Sequence, residues 1–381
     1  LLPLQGVGAD TLSQYEKFAR LVEQTRHANR WTMPVQNRAL APVQSTLSAT
    51  TFIAYLDQQS LTDRHLRWYL DYCCRDDYGA GIASVSAWAG IHYFASRHGF
   101  HAPGTEGVER EGLLTWPEGN AWLTRRMALP LGERLHTGRV VVRIATGRHG
   151  AEVDAFNTAT QSLERWQAQQ VVVALPVFVA ARVVENPPDF LRAASRQIVY
   201  APWLVANIHM QSPLHDRPGA APSWDNVLYD DANGKGGLGY VDATHQSLKS
   251  TVGPTVLTHY RALGDFSGDA SHGRKWLLDR PWASWRDEIV AELSAAHPDL
   301  ASKATRVDIT RYGHAMAIPV PNIHGQTGLW PSSNMRRPLS KKEQLPVRQV
   351  LAWDRLAFAH SDWAGYSVFE EAFTAGHGAA I

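Results

Sequence analysis

The sequence predicts a mixed α/β (α+β) fold of more than one domain, and three observations carry that reading. The first hundred residues show apolar side chains at helical spacing. The middle holds short β-prone runs between turns, and the last thirty residues read as strand, polar turn and helix. A chain of 381 residues, 44% apolar and 19% charged, buries a sizeable core and is long enough for two domains.

Leu12, Tyr15, Phe18, Ala19 and Val22 recur at helical spacing, as do Leu66, Tyr69, Leu70 and Cys73 after Thr62, a candidate cap. These stripes read as core faces, with Arg64, Arg67 and Asp71 on solvated sides. Residues 104–112 are glycine-rich and polar, which reads as a loop. Trp116-Pro117 enters a turn at Gly119, and 121–128 reads as a helix. Strands are expected at 140–144, about 152–155 and 171–175; the last is a continuous apolar run, suited to a strand covered on both faces. Residues 187–318 offer strands at 204–210, 227–229, 238–241 and 255–262, a helix at 282–293 and a strand at 304–311, a pattern for mixed or antiparallel sheet. The polar, basic stretch 332–349 reads as a long loop back to a final strand.

Composition excludes several functions. A net charge of +1 gives no case for nucleic acid or an anionic membrane, and the chain has no apolar run of membrane-spanning length. A soluble protein is expected, with cytoplasm and periplasm both open. The adjacent Cys73 and Cys74 make an internal disulfide or a cysteine metal site improbable. The 17 histidines lack ligand spacing, so no metal is expected, and no Gly-x-Ser-x-Gly elbow occurs.

The ending is the most informative part. An apolar strand (Val350 to Phe358) meets a polar turn carrying Asp362, then Gly365 and an alanine-rich helix from near Ser367. A helix start attracts anions because its first N–H groups lack partners, and Asp362 suits a sugar-like hydroxyl. The plainer alternative is a strand-to-helix link with Ser367 as N-cap.

This ending resembles the closing FAD-binding motif of the flavin-containing amine oxidase superfamily. Three further segments stand in the family's order: Trp116-Pro117-Glu118-Gly119-Asn120 with its helix, the Arg139–Ile144 strand, and Gln170–Pro176, a strand ending in Ala-hydrophobe-Pro. The resemblance implies a discontinuous FAD-binding domain plus a substrate domain with a mixed sheet and helices. Residues 1–112 would be the helical substrate-domain and entrance region, 113–186 an FAD-binding segment, 187–325 the substrate domain, and 326–381 the return loop and last FAD-binding segment. Asp362 would bind the ribityl chain or pyrophosphate, and the backbone at Val368 and Phe369 would meet flavin or phosphates. Gly119 and Asn120 would allow close approach, Val141 or Val142 would contact adenine through main-chain groups, and Pro176 would sit beside the cofactor.

The family's opening Gly-x-Gly-x-x-Gly unit is not found. Gly6-Val-Gly8 lacks the third glycine, and Gly234-Lys-Gly236-Gly237-Leu-Gly239 precedes no evident helix and reads as a link between short strands. The expectation is that a companion segment or chain carries that unit. For the substrate, Trp203, Asn207 and His209 share one face of a strand with Val205, and Tyr312 and His314 are a second candidate group. No lysine matches the one amine-oxidising relatives place near the flavin; Lys235 and Lys249 fall in plausible territory. The resemblance thus implies hydride transfer from a small-molecule substrate, an amine as first expectation, to flavin. The catalytic residue is unassigned, and a same-fold desaturase or isomerase, or a non-catalytic subunit, is the alternative.

Overall fold

The computed structural model describes residues 2–4, 6–28, 31–35, 41–104, 116–215, 223–229, 236–247, 251, 253–324, 336–337 and 350–380. Helices α1 (Ala9–Ala28), α2 (Pro42–Ser48), α3 (Phe52–Gln58), α4 (Arg64–Tyr78) and α5 (Ala87–Ala95) pack around one core. The sequence stripes supply it: Tyr15, Phe18 and Val22 from α1, and Leu66, Leu70 and Cys73 from α4, are buried, while Leu12 stays exposed. Asp63, not Thr62, caps α4, its carboxylate accepting the Leu66 N–H at 2.9 Å. Asp71 is not on a solvated side; it accepts from the Ile82 N–H and the Arg75 guanidinium, and burial raises its carboxyl.

Two histidines are buried in this core against Trp88. Ring centroids lie 4.6 Å away for His92 and 4.2 Å for His324. Burial pushes His92 down to about 3 and His324 to about 4 from the ordinary 6.5. The folded chain therefore holds both neutral, while the unfolded chain protonates them as pH falls below 6.5, so their contribution to stability is lost on acidification. Between pH 7 and pH 5 each loses roughly 2 kcal/mol. Urea midpoints measured across that range should fall less steeply for His324→Gln than for the parent; parallel slopes would refute the assignment.

After α6 (Ala121–Ala128), strands β1 (Arg139–Gly147), β2 (Gly150–Asn157) and β3 (Ser162–Ala168) form an antiparallel meander. The sequence reading missed β3 because nearly all its residues are exposed and it presents no apolar run. β4 (Val171–Val173), α7 (Val177–Val183) and α8 (Asp189–Gln197) lead into β5 (Val199–Met210). β5 is flanked by β8 (Thr255–Ala262) and β9 (Ala304–Ile318), with β7 (Tyr240–Asp242) and β6 (Asp225–Asn226) outside β8. All these pairings are antiparallel. The strand expected at 227–229 is absent. Gly239 presses on the end of β6 instead: its φ is +89°, and a Cβ there would stand 1.9 Å from the Asn226 carbonyl oxygen. The glycine-rich link thus serves close packing between β6 and β7; its residues 234 and 235 lie outside the described set.

Helices α9 (Ala270–Asp279), α10 (Trp282–Ala296) and α11 (Leu300–Lys303) follow β8, and the first two bury one face of the five-stranded sheet. The tail adds β10 (Arg336–Arg337), β11 (Val350–Trp353), β12 (Leu356–Phe358) and α12 (Phe369–Ala380). What reads in the sequence as one closing strand is an antiparallel hairpin, turned at Asp354 with φ +51°. β12 then pairs parallel with β4. α12 starts at Phe369, because the Ser367 hydroxyl accepts the Ala317 N–H at 3.0 Å and ties the tail to β9 instead of capping a helix.

Candidate active site

Side chains alternate along β5. Leu204, Ala206, Ile208 and Met210 enter the core beneath α9 and α10, which leaves Trp203, Val205, Asn207 and His209 on the other face. Over that face lies a cavity of about 620 Å³. Tyr72 and Asp76 of α4, Trp203, Thr258 and Tyr260 of the sheet, and the Gly119-Asn120 turn line it. Trp116, Trp224 and Asp225 complete its aromatic and acidic character.

Asp76 is the distinctive group. Burial, then repulsion from Asp77 and Asp225, pushes its carboxyl up to about 7. Asp76 is itself exposed, so water in the cavity reaches its carboxyl. The nearby cations are engaged elsewhere: Arg75 with Asp71 and the Gly236 carbonyl, Arg97 with Asp77.

The second locus is the tail turn. Asp362 is 1% exposed, and its Oδ2 accepts the Val177 N–H at 2.9 Å and the Tyr200 hydroxyl at 2.5 Å. The carboxylate expected to hold a sugar hydroxyl is therefore committed within the protein. The cause is topological: β12 lies beside β4, so an acid just past β12 meets the first turn of α7 after Pro176. Burial and then Asp362 raise the Tyr200 phenol. Beside it, His314 stacks on Phe178 at 4.6 Å, and burial, ahead of Arg274 and Arg182, lowers its imidazole. A register shift between Ala201 and Trp203 of β5 bulges β9 here, and Arg274 holds the bulge by donating to the Gly313 and Tyr200 carbonyls.

The other expected residues spread out. Asn207 accepts from Thr258, one step behind the cavity lining, and His209 pairs with Asp308 at 2.9 Å. Tyr312 stands opposite Trp203 in the β5–β9 register and is half exposed. Gly119 and Asn120 join Trp203 at the cavity, whose lining includes no residue of 350–380, so the turn and the tail do not meet there. Val368 and Phe369 do precede and open α12, but its first turn carries Glu370 and Glu371, which oppose an anion. Glu371 accepts from the Tyr366 hydroxyl and the Val35 N–H. Val141 is partly buried and Val142 exposed on β1, an edge strand whose register shifts between Val141 and Arg143. Lys235 and Lys249 lie outside the described residues. Sequence reading missed Tyr72, Asp76, Asp225 and Tyr260; the i, i+4 spacing of Tyr72 and Asp76 on one helix face was the available signal.

A bound FAD finds a partial fit. Among the described residues β1 is the edge strand of its sheet, and its register shifts between Val141 and Arg143, a position open to a main-chain contact such as an adenine makes. No glycine-rich cradle for a pyrophosphate occurs among the described residues. Among them, too, no cluster of three or more His, Cys, Asp or Glu is arranged for a metal, and no helix is long and apolar enough to cross a membrane.

This architecture, with an aromatic cavity over a mixed-order antiparallel sheet and a tail paired into a second sheet, has the fold of the amine oxidases. Wild-type putrescine oxidase bound to putrescine matches with a TM-score of 0.64 at 15% identity, over 98% of this chain and 76% of that one. Cyclohexylamine oxidase from Brevibacterium oxydans IH-35A matches with a TM-score of 0.61 at 16% identity, over 99% and 75%. The chain belongs to the flavin containing amine oxidoreductase family, whose profile matches residues 54–380. An L-amino acid dehydrogenase from Synechocystis sp. is 25% identical over 179 residues, 47% of this chain. The match spans 34% of that relative's length, about a third.

Proposed function

We propose that the chain forms the body of an FAD-dependent oxidoreductase that oxidises an amine held in the cavity over β5. The cavity carries the reading: rings from Tyr72, Trp203 and Tyr260 give apolar walls that also attract ammonium groups. Its acids and amides favour an amine over the apolar channel that a desaturase or isomerase of this fold would need. When bound, FAD supplies a hydride acceptor at its N5. The protein's part is to hold the substrate's C–H bond, wall the site from bulk water and fix the surrounding backbone. Val141 and Val142 would contact adenine through main-chain groups, and the Gly119-Asn120 turn would close one side of the cavity. Asp362 and Pro176 would act by fixing the joint between the tail and α7 beside the cofactor.

A companion segment with the glycine-rich unit would complete the nucleotide site. Supporting that part, α6 has no buried residue, and Trp122 and Met127 on it, with Leu129 just beyond, are exposed. So are Phe369 and Phe373 on α12.

The purified protein should show the visible absorption of oxidised flavin, alone or after FAD is added with a glycine-rich companion unit, and an amine should bleach it anaerobically. A colourless sample that takes up no FAD in either form would overturn the reading.

A further inference from the structure

We propose that the glycine link before β7 sets the length of substrate the cavity accepts: its bulge turns Leu238 into the cavity, where that side chain forms the floor. The proposal rests on the reading of this cavity as the substrate site and adds a length limit to it.

Strict alternation would place Leu238 elsewhere. Tyr240 of β7 enters the core beneath α10 and its hydroxyl meets His297, so the residue two places earlier should share that face. Leu238 packs instead with Trp203 and Ala262 on the cavity side of the sheet. The ladder supplies the reason: the Tyr260 carbonyl of β8 accepts the Leu238 N–H at 2.7 Å, and the Tyr260 N–H donates to the Gly239 carbonyl at 3.3 Å. Two link residues thus face one strand residue, which is a β-bulge, and the φ of +89° at Gly239 is the left-handed geometry that shifts the alternation by one place.

The link is also held from outside its own strand. The Gly236 carbonyl accepts from the buried Arg75 of α4 at 3.2 Å, and the Gly237 N–H donates to Glu292 of α10 at 2.9 Å. Gly237 passes so close to the core that a Cβ there would stand 2.2 Å from the His259 Nε2. Leu238 therefore has little room to retreat from an incoming ligand. Its depth completes the argument. Among the described lining residues only Trp203 and Leu238 are buried, at 8% and 2% exposed, whereas Asp76, Asn120 and Asp225 are exposed at the rim. A ligand entering past that rim runs toward the indole and the leucine.

Each methylene of a ligand that finds apolar room tightens binding about fourfold, and the gain ends where the chain meets the floor. Trp116, Trp203 and Trp224 line the cavity and report on its filling. Fluorescence titrations of the whole, flavin-free chain with the unbranched series from 1-aminobutane to 1-aminodecane should show affinity rising and then levelling at one length. Leu238→Ala should move that step by about two carbons, the space of the trimmed side chain, and Leu238→Val by about one. The milder variant carries the test should the first fold poorly. In the flavin-loaded enzyme the same shift should appear in KM. Affinity that climbs through the whole series in the parent, or a step that stays at the same length in both variants, would overturn the floor and leave the amine reading in place. A parent that binds no member of the series would overturn both. A moved step in a chain that takes up no flavin supports the floor and overturns only the oxidoreductase reading.

Discussion

Asp362→Ala should lower the stability of the folded chain by roughly 3–5 kcal/mol, because it strands two buried donors at once, each worth about 1–3 kcal/mol when left unsatisfied. Those donors are the Val177 N–H and the Tyr200 hydroxyl, and they belong to different elements, α7 and β5. The substitution therefore loosens the joint between the tail, the β4–α7 connection and the substrate sheet together. Asp362→Asn keeps one acceptor oxygen and should be milder. Urea unfolding compares the three proteins directly, and a parental midpoint for Asp362→Ala would show that the acid is not holding this joint. A companion variant, Tyr200→Phe, removes a donor and its acceptor bond without stranding the Val177 N–H, so it should fall between them.

Arg261→Met should be comparably severe. Arg261 is 3% exposed and donates to both Glu288 and Glu292. Burial works to raise the Glu292 carboxyl, but hydrogen bonds and charge from His259 and Arg261 hold it at about 2. Removing one member of such a buried ion group leaves uncompensated charge, a loss of about 3–5 kcal/mol. Glu292 also accepts the Gly237 N–H at 2.9 Å, which positions the segment bearing Leu238 at the cavity wall. Amine binding should weaken along with stability. Adding Glu292→Gln to Arg261→Met removes the stranded charge and should recover much of the loss in a denaturant titration. A double variant no more stable than the single one would show that the arginine matters through packing over Trp285 alone.

Much of the fold was legible because burial and local period agreed. The stripes of α1 and α4, the helix α6 and the strand β8 stand where the spacing of Tyr15, Leu66, Trp122 and Leu257 puts them. The elements that were missed lack that agreement. β3 exposes almost every side chain, α9 interleaves Arg274 and Lys275 with its apolar residues, and the hairpin of β11 and β12 turns on just two residues, Asp354 and Arg355, between short apolar runs.

The site was less legible than the fold, for a different reason. Family resemblance drew attention to Asp362 and to Gly119, but a sequence does not say whether a carboxylate will face a ligand or a neighbouring helix. That outcome depends on β12 lying beside β4. Likewise Trp203 was found by strand alternation, while Asp76 and Tyr72 come from α4, far away in sequence, and only packing brings them over the same sheet.

The parallel pairing of β12 with β4 carries a consequence for biosynthesis. Val177 and Asp362, which close this junction, are 185 residues apart. At about 5–20 residues per second, a ribosome needs roughly 10–40 seconds to deliver the partner after the waiting strand has emerged. During that interval Val171 to Val173 present an open apolar edge, the kind of surface that chaperones shield and that stray strands join. Premature termination anywhere before Leu356 would leave that edge permanently uncovered, so shortened products should precipitate or be degraded instead of accumulating as smaller folded proteins.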